Sequence, residues 1–338
     1  MKPLSAIVSD FKLAKEDLPR IQKLLFYDGP NARQSLERYA LLMFFATLIA
    51  SYGVIGDSTA TVIGAMLIAP LMTPVLAVAA AVVTGDMRRA GLSLLIVIGG
   101  VVGAIALALW IGITYRSGLI DVETNSQIVS RVSPRLVDLY AALGAGAVGA
   151  FATSREDIAD TLPGAAIAIA LVPPLAVVGL TVSQGAWGAA WGSMLLFLTN
   201  FFAILISGSL VLAALGLSAA ATDHLVGHAR RRAFELIALG ALLVALPLAV
   251  TSYNTVKAAQ THNHLTGAVQ TWLEGTSFEL VETRLQPGGA VIVVKGEGDP
   301  PAAAQLISLI RDRTQTEVSF QIEIMPMQRK EINLGSAD

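Results

Sequence analysis

Seven stretches between residues 39 and 256 are apolar for about as long as a bilayer is thick. Spanning a hydrocarbon core of about 30 Å takes roughly 20 residues of helix. The expected helices are 39–55, 59–84, 90–114, 136–152, 161–183, 188–215 and 232–256. Charge is depleted in the same region: residues 40–256 carry 19 of the chain's 48 charged side chains. The whole chain is 14% charged with a mean hydropathy of +0.65, whereas soluble domains run near 25% charged. A soluble enzyme is excluded, and a polytopic membrane protein with a short polar head and a polar tail is expected.

The head, 1–38, reads as amphipathic cytoplasmic helix interrupted at Asp28-Gly29-Pro30. It carries seven Lys and Arg. The loops on the same side add Arg88, Arg89, Arg155 and Arg230–Arg232, against Arg116, Arg131 and Arg135 on the other. The positive-inside rule therefore places the N-terminus in the cytoplasm of a bacterial inner membrane. With seven spans, the C-terminus lies outside. From 258 to 330 the pattern changes to a helix (258–273), alternating strands (278–285 and 290–296), a helix to about 313 and a strand (317–325). This is a small αββαβ domain, expected to be extracytoplasmic.

The membrane region (39–256) repeats itself. Ile63-Gly-Ala-Met-Leu-Ile-Ala-Pro-Leu-Met72 returns in character as Ile167-Ala-Ile-Ala-Leu-Val-Pro-Pro-Leu-Ala176, and Pro70 falls on Pro174 at an offset of 104. Three expected helices accompany each copy, giving repeats 39–114 and 136–215 with 232–256 left over. An odd number of spans per copy forces the two copies to enter the membrane from opposite sides, the inverted architecture of many secondary transporters. A re-entrant hairpin at Pro70 would instead make the copies parallel.

Proline interrupts the matching helices. Pro70 and Pro74 fall in helix two, Pro173 and Pro174 in helix five. Inside a helix, Pro74 would free the carbonyl of Pro70, and Pro174 that of Ala170, because proline has no amide to donate. At membrane depth a freed carbonyl needs water, a side chain or a cation. The competing reading is a pair of kinks that serve packing.

The segments IGAMLIAPLMTPVL followed by GD, and LPGAAIAIALVPPLAVVG, resemble the bacterial and archaeal membrane family known as domain of unknown function 389. The resemblance covers about residues 39–215. That family has no assigned activity, so it implies membrane architecture rather than chemistry.

Few ionisable or polar groups lie deep. Asp57 and Asp160 stand at the mouths of helices two and five, as N-caps or as cation- or proton-handling groups. Asn200, midway along helix six, either bonds across helices or lines a pathway. Thr59, Thr61 and Thr73 are expected to place hydroxyls near the break, and Arg135 can pair with Asp138. Gly99-x-x-x-Gly103 and Gly188-x-x-x-Gly192 permit close helix approach. His262 and His264 read as a solvated linker.

No phosphate loop, Ser/His/Asp arrangement or metal-ligand cluster is present, so no catalysis, cofactor or metal is expected. A net charge of −2 gives no reason to expect nucleic acid. The expected function is secondary transport of a small solute or ion along Pro70, Thr73, Pro74, Pro173, Pro174, Asn200, Asp57 and Asp160. Membrane lipid and a second copy (a dimer first) are the expected partners. An ion channel, or a non-transporting envelope scaffold or sensor acting through the C-terminal domain, are the alternatives.

Overall fold

The computed structural model describes residues 13, 15–115, 120–155, 171–217, 260–261, 263–286, 289–296, 301–313 and 320–326, with single positions at 235, 242 and 257. The chain forms two units, Met1–Thr251 and Ser252–Asp338.

The first unit is helical. A short amphipathic helix α1 (Leu18–Leu25) starts with Pro19 in its first turn and buries Ile21 and Leu25. The turn at Asp28-Gly29-Pro30 leads into α2 (Ala32–Ile55), seven residues earlier than the apolar pattern suggests. Then come α3 (Thr59–Ile68) and α4 (Met72–Thr84), whose axes bend by 47° at the break between them. Gly85 in the left-handed conformation (φ 79°) closes α4, and the Asp86 carboxylate accepts from the Arg89 amide at 3.0 Å to cap α5 (Met87–Thr114). The GD pair is thus a helix stop followed by a helix start. A short α6 (Ser126–Val132) lies in the link expected to be a loop. It is followed by α7 (Leu136–Ser154), α8 (Val172–Ser183) and α9 (Trp187–Ala214).

Among the described residues four helices are long and apolar enough to cross a membrane, or five if the bent α3–α4 pair is one span. This is a multi-pass membrane protein. Of the seven expected spans, the first half of the fifth (161–170) and the seventh (232–256, apart from positions 235 and 242) lie outside the described residues.

Helix directions follow from contacts at the two ends. The Arg89–Asp28 ion pair (2.7 Å) marks one end; the bonds of Asp57 to Ser126 and Gln127 mark the other. Helix α2 runs from the Asp28 end to the Asp57 end, where Gly53 abuts Val62 of α3. The α3–α4 pair returns to the Asp28 end. Helix α5 runs up again, and Tyr115 beyond it meets Tyr52 of α2 with ring centroids 6.0 Å apart. Helix α7 descends, and Arg20 of α1 donates to its Ser154 carbonyl at 3.0 Å. Helix α8 ascends, bringing Ser183 beside Gly112 of α5. Helix α9 descends from its contact with α6 to Leu215, whose carbonyl accepts from the Leu13 amide at 2.9 Å.

Helices α4 and α8 are the core. Every residue of α4 from Met72 to Val83 except Thr73 is buried, and Val172–Thr181 of α8 are all buried. A helix apolar on every side is satisfied only when protein surrounds it on every side. Each packs on the helix that follows it and on helices of the other half: α4 on α5, α9 and α7; α8 on α9, α5 and α2. Glycines set these distances. A Cβ at Gly179 of α8 would come within 2.5–2.6 Å of Ile105 O, Ala108 Cβ and Leu109 N of α5, and one at Gly208 of α9 would meet Leu76 of α4.

In the second unit a helix over 263–273 packs on a sheet of β1 (Glu279–Gln286), β2 (Gly289–Gly296) and β3 (Phe320–Pro326), with α10 (Ala303–Arg313) between β2 and β3. The order is β1-β2-β3, antiparallel then parallel. The expected αββαβ sequence of elements is the one found. Leu265, Val269, Trp272, Ile292, Val294 and Leu306 form its core. Trp272 donates its indole N–H to the Ala302 carbonyl at 3.3 Å.

Because the contact at Gly179 is with backbone, which cannot move aside, Gly179→Leu should cost about 1–3 kcal/mol by overpacking. Thermal unfolding in detergent should show it as a lowered midpoint. Gly64→Ala, where a Cβ meets nothing within 4 Å, should show no loss; equal midpoints for all three proteins would contradict the packing described.

Candidate functional site

The break between α3 and α4 follows from two properties of proline. Pro70 has no amide, so the Met66 carbonyl loses its i+4 donor, and the residue before a proline is driven out of the helical region. Ala69 is accordingly extended (φ −65°, ψ 120°). Helix resumes at Met72, with Val75 N–H to Leu71 O at 3.4 Å its first bond. Among the described residues the amide of Leu71 and the carbonyls of Met66, Leu67 and Pro70 have no backbone partner. Ala69, Pro70 and Thr73 are only half-buried, and Leu67 and Ile68 are exposed. Unpaired backbone at membrane depth is tolerated where it lines a water-filled cavity or is covered by protein, and not against lipid.

No backbone donor among the described residues reaches the Pro70 carbonyl, as the sequence suggests, but Pro74 does not interrupt a continuing helix. It occupies the first turn of α4, where the missing amide costs nothing. Pro173 and Pro174 stand likewise in the first turn of α8. The carbonyl of Ala170 and the side chain of Asp160 lie outside the described residues. The structure thus has two buried short apolar helices, each with proline in its first turn. The Pro174 carbonyl accepts from the Ser193 hydroxyl of α9 at 2.9 Å.

Asn200 is buried at the midpoint of α9. It lies two turns beyond Ser193, which touches α8, and two turns before Gly208, which rests on Leu76 of α4. That register puts Asn200 about 10–12 Å along α9 from each contact, between the depth of Pro174 in the first turn of α8 and that of Leu76 in α4. Thr73 stands at the break, in the first turn of α4. Thr59 and Thr61 stand instead at the start of α3, about 12–15 Å from the break by helix rise. There Thr59 accepts from Gln127 and Thr61 meets the Ser58 hydroxyl at 2.8 Å.

Asp57 has a different role from the helix-two cap considered above. Ser58 is the N-cap of α3, its hydroxyl accepting from the Thr61 amide at 3.3 Å. Asp57 terminates α2, in the left-handed conformation (φ 49°) usually taken by glycine. Its amide bonds to Val54 O and that of Ser58 to Gly53 O, the paired bonds of a Schellman turn. The carboxylate reaches across to α6, accepting from the Ser126 hydroxyl at 2.7 Å and the Gln127 amide at 3.1 Å. The buried Asn125 completes the junction by donating to Val54 O at 2.8 Å. Chain reading missed this clamp, although Asn125 ahead of Ser126 is an N-cap signal. Arg135 and Asp138 do meet, at 3.8 Å, and the Asp138 carboxylate accepts from the Arg135 amide. Gly192 seats the Val132 backbone of α6 rather than a second long helix. His264 is exposed, and His262 lies outside the described residues.

The family comparison converges on these elements. Residues 66–206 match the family described as domain of unknown function (DUF389). This is the resemblance that the proline motifs carry, and the matched DUF389 segment includes both of them. An uncharacterized protein of Methanocaldococcus jannaschii is 32% identical over 205 residues, 60% of this chain and 62% of that protein. The chain therefore spans less than two thirds of that relative. No solved structure matches the chain.

Bonds from Ser126 above all, then from the Gln127 amide, hold the Asp57 carboxyl below its ordinary range. A depressed folded pKa adds stability that is present above the unfolded value of about 3.9 and is lost as pH falls through the folded value. Asp57→Asn should therefore melt below the wild type at pH 6, with the gap closing on acidification through pH 4 to 3. A gap that stays constant over that range would rule out the charged clamp.

Proposed function

We propose that this is a secondary transporter of a small solute or ion in a bacterial inner membrane, with its site where α4 and α8 begin. One observation carries the reading: the span α3–α4 is broken at its midpoint, leaving the Leu71 amide and the carbonyls of Met66, Leu67 and Pro70 without backbone partners among the described residues. Such a break is costly in hydrocarbon and is retained where it contacts a cargo or water. The two sides of the break offer different chemistry. The amide end of α4 favours an anionic group, and the carbonyl end of α3 favours a cation, including a coupling ion. Asn200, buried on α9 between the depths of the α4 and α8 starts, adds a neutral carboxamide.

The helix directions support two inverted repeats. Helices α2, α3–α4 and α5 run up, down and up; α7, α8 and α9 run down, up and down. Under an exchange of α2 with α7, α4 with α8 and α5 with α9, the packing pairs map onto one another. Two halves related in this way can trade conformations, which moves access from one side of a central site to the other. With the basic loops cytoplasmic, the Asp28 end faces the cytoplasm.

The chain contains no cysteine, so Thr73→Cys introduces a single thiol at the break. In proteoliposomes this thiol should react with an impermeant maleimide from either side. Pro70→Ala, which restores the donor for the Met66 carbonyl, should reduce labelling from one side and abolish flux of any solute or ion found by screening. A thiol that never reacts from either side would refute an aqueous pathway at this break.

A further inference from the structure

A groove of about 640 Å³ runs between α2 and α5 on the outside of the helical unit. Its floor is Gly99 and Gly103, and its walls include Leu36, Phe44, Leu92 and Leu95, all exposed large apolar side chains. A Cβ at Gly99 or Gly103 would meet nothing within 4 Å, so packing among the described residues does not use this small-residue pair. At its deep end the groove is lined by Thr47, which is 1% exposed and whose hydroxyl has no hydrogen-bond partner among the described residues. Its other end is charged. Arg33 lines the mouth on α2, where it pairs with Glu37 at 2.8 Å, and Arg88 lies exposed on α5 one turn before Leu92. Arg88 has no ion pair among the described residues.

We propose that this groove holds one acyl chain of an anionic phospholipid, with the phosphate at Arg33 and Arg88. Length supports it. From Arg33 to Thr47 the groove extends about 21 Å at 1.5 Å per residue, and one leaflet with its headgroup layer is about 20–22 Å deep. A lipid with its phosphate at the arginines would therefore end its tail near Thr47. Charge supports it as well, because cations at the membrane interface attract anionic headgroups. A second copy fits less well. Two-fold pairing of α5 through Gly99 and Gly103 would set Arg88 against its own copy, and like charges would face each other.

The full chain is extracted from nanodiscs of phosphatidylcholine and phosphatidylglycerol, and retained lipid is counted by native mass spectrometry. The wild type should retain one phosphatidylglycerol per chain in preference to phosphatidylcholine. Filling the open floor with Gly99→Leu and Gly103→Leu should remove that lipid without loss of thermal stability. Arg33→Ala and Arg88→Ala should each cut the preference for phosphatidylglycerol about fivefold. Retention by the leucine variant equal to wild type would overturn the proposal. So would efficient oxidative cross-linking of a Gly99→Cys variant into dimers, which would give the groove to a second copy.

Discussion

Pro70 has no hydrogen to give to the carbonyl of Met66, and the arrangement of the membrane unit depends on where that deficit is placed. In water it would be a minor kink, because solvent would supply the missing partner. At the middle of a bilayer nothing outside the protein does so. The chain meets the constraint by ending α3, passing through an extended Ala69, and starting a fresh helix whose own proline sits where no donor is needed. The orphaned polar groups are then confined to one short segment rather than spread along a span. Such a segment is a cost unless something polar comes to it, which is why the break and not a side-chain cluster is the centre of the functional reading.

The constraint propagates outward. A half-helix that starts at mid-depth cannot be left against lipid at its open end, so α4 and α8 are enclosed along nearly their whole length. Enclosure demands close approach: Gly179 lies against the backbone of α5, and Gly208 lies against Leu76. It also demands that the outer helices be held in register at their ends. Asp57, Asn125 and Gln127 do this on one side, and Arg89, Asp28 and Asp86 do it on the other. The lateral groove between α2 and α5 is a by-product of the same design. Those two helices run parallel, with the returning chain packed behind them, and the glycines of α5 leave the outward seam open.

Much of this was legible in the chain. Apolar run lengths located α5, α7, α9 and the end of α2 within a few residues, and period-two alternation located all three strands of the second unit. The proline pairs identified the break, and their resemblance to DUF389 is matched by the family comparison. What was not legible depended on partners distant in sequence. Apolar pattern alone could not place the start of α2 at Ala32, since Arg33, Glu37 and Arg38 lie on its solvated first turns. Nor could it show that Asp57 would adopt a left-handed turn and bond to residues 69 and 70 positions later. Pro74 reads as a helix-interior residue because a helix interior and a helix first turn have the same local sequence. Only the extended conformation at Ala69 distinguishes them.

The central claim is that the two half-helices end on opposite sides of the membrane, as inverted repeats require. Single cysteines at Arg88, just after α4, and at Gln184, just after α8, test it in this cysteine-free chain, with an impermeant maleimide applied to intact cells and to inside-out vesicles. Arg88 is preferred to Arg89 because Arg89 is engaged by Asp28, Asp86 and Phe26. The account predicts that Arg88→Cys labels only from the cytoplasmic side and Gln184→Cys only from the other. Labelling of both from the same side would contradict it, leaving the proline breaks without the inverted symmetry on which the transport reading rests.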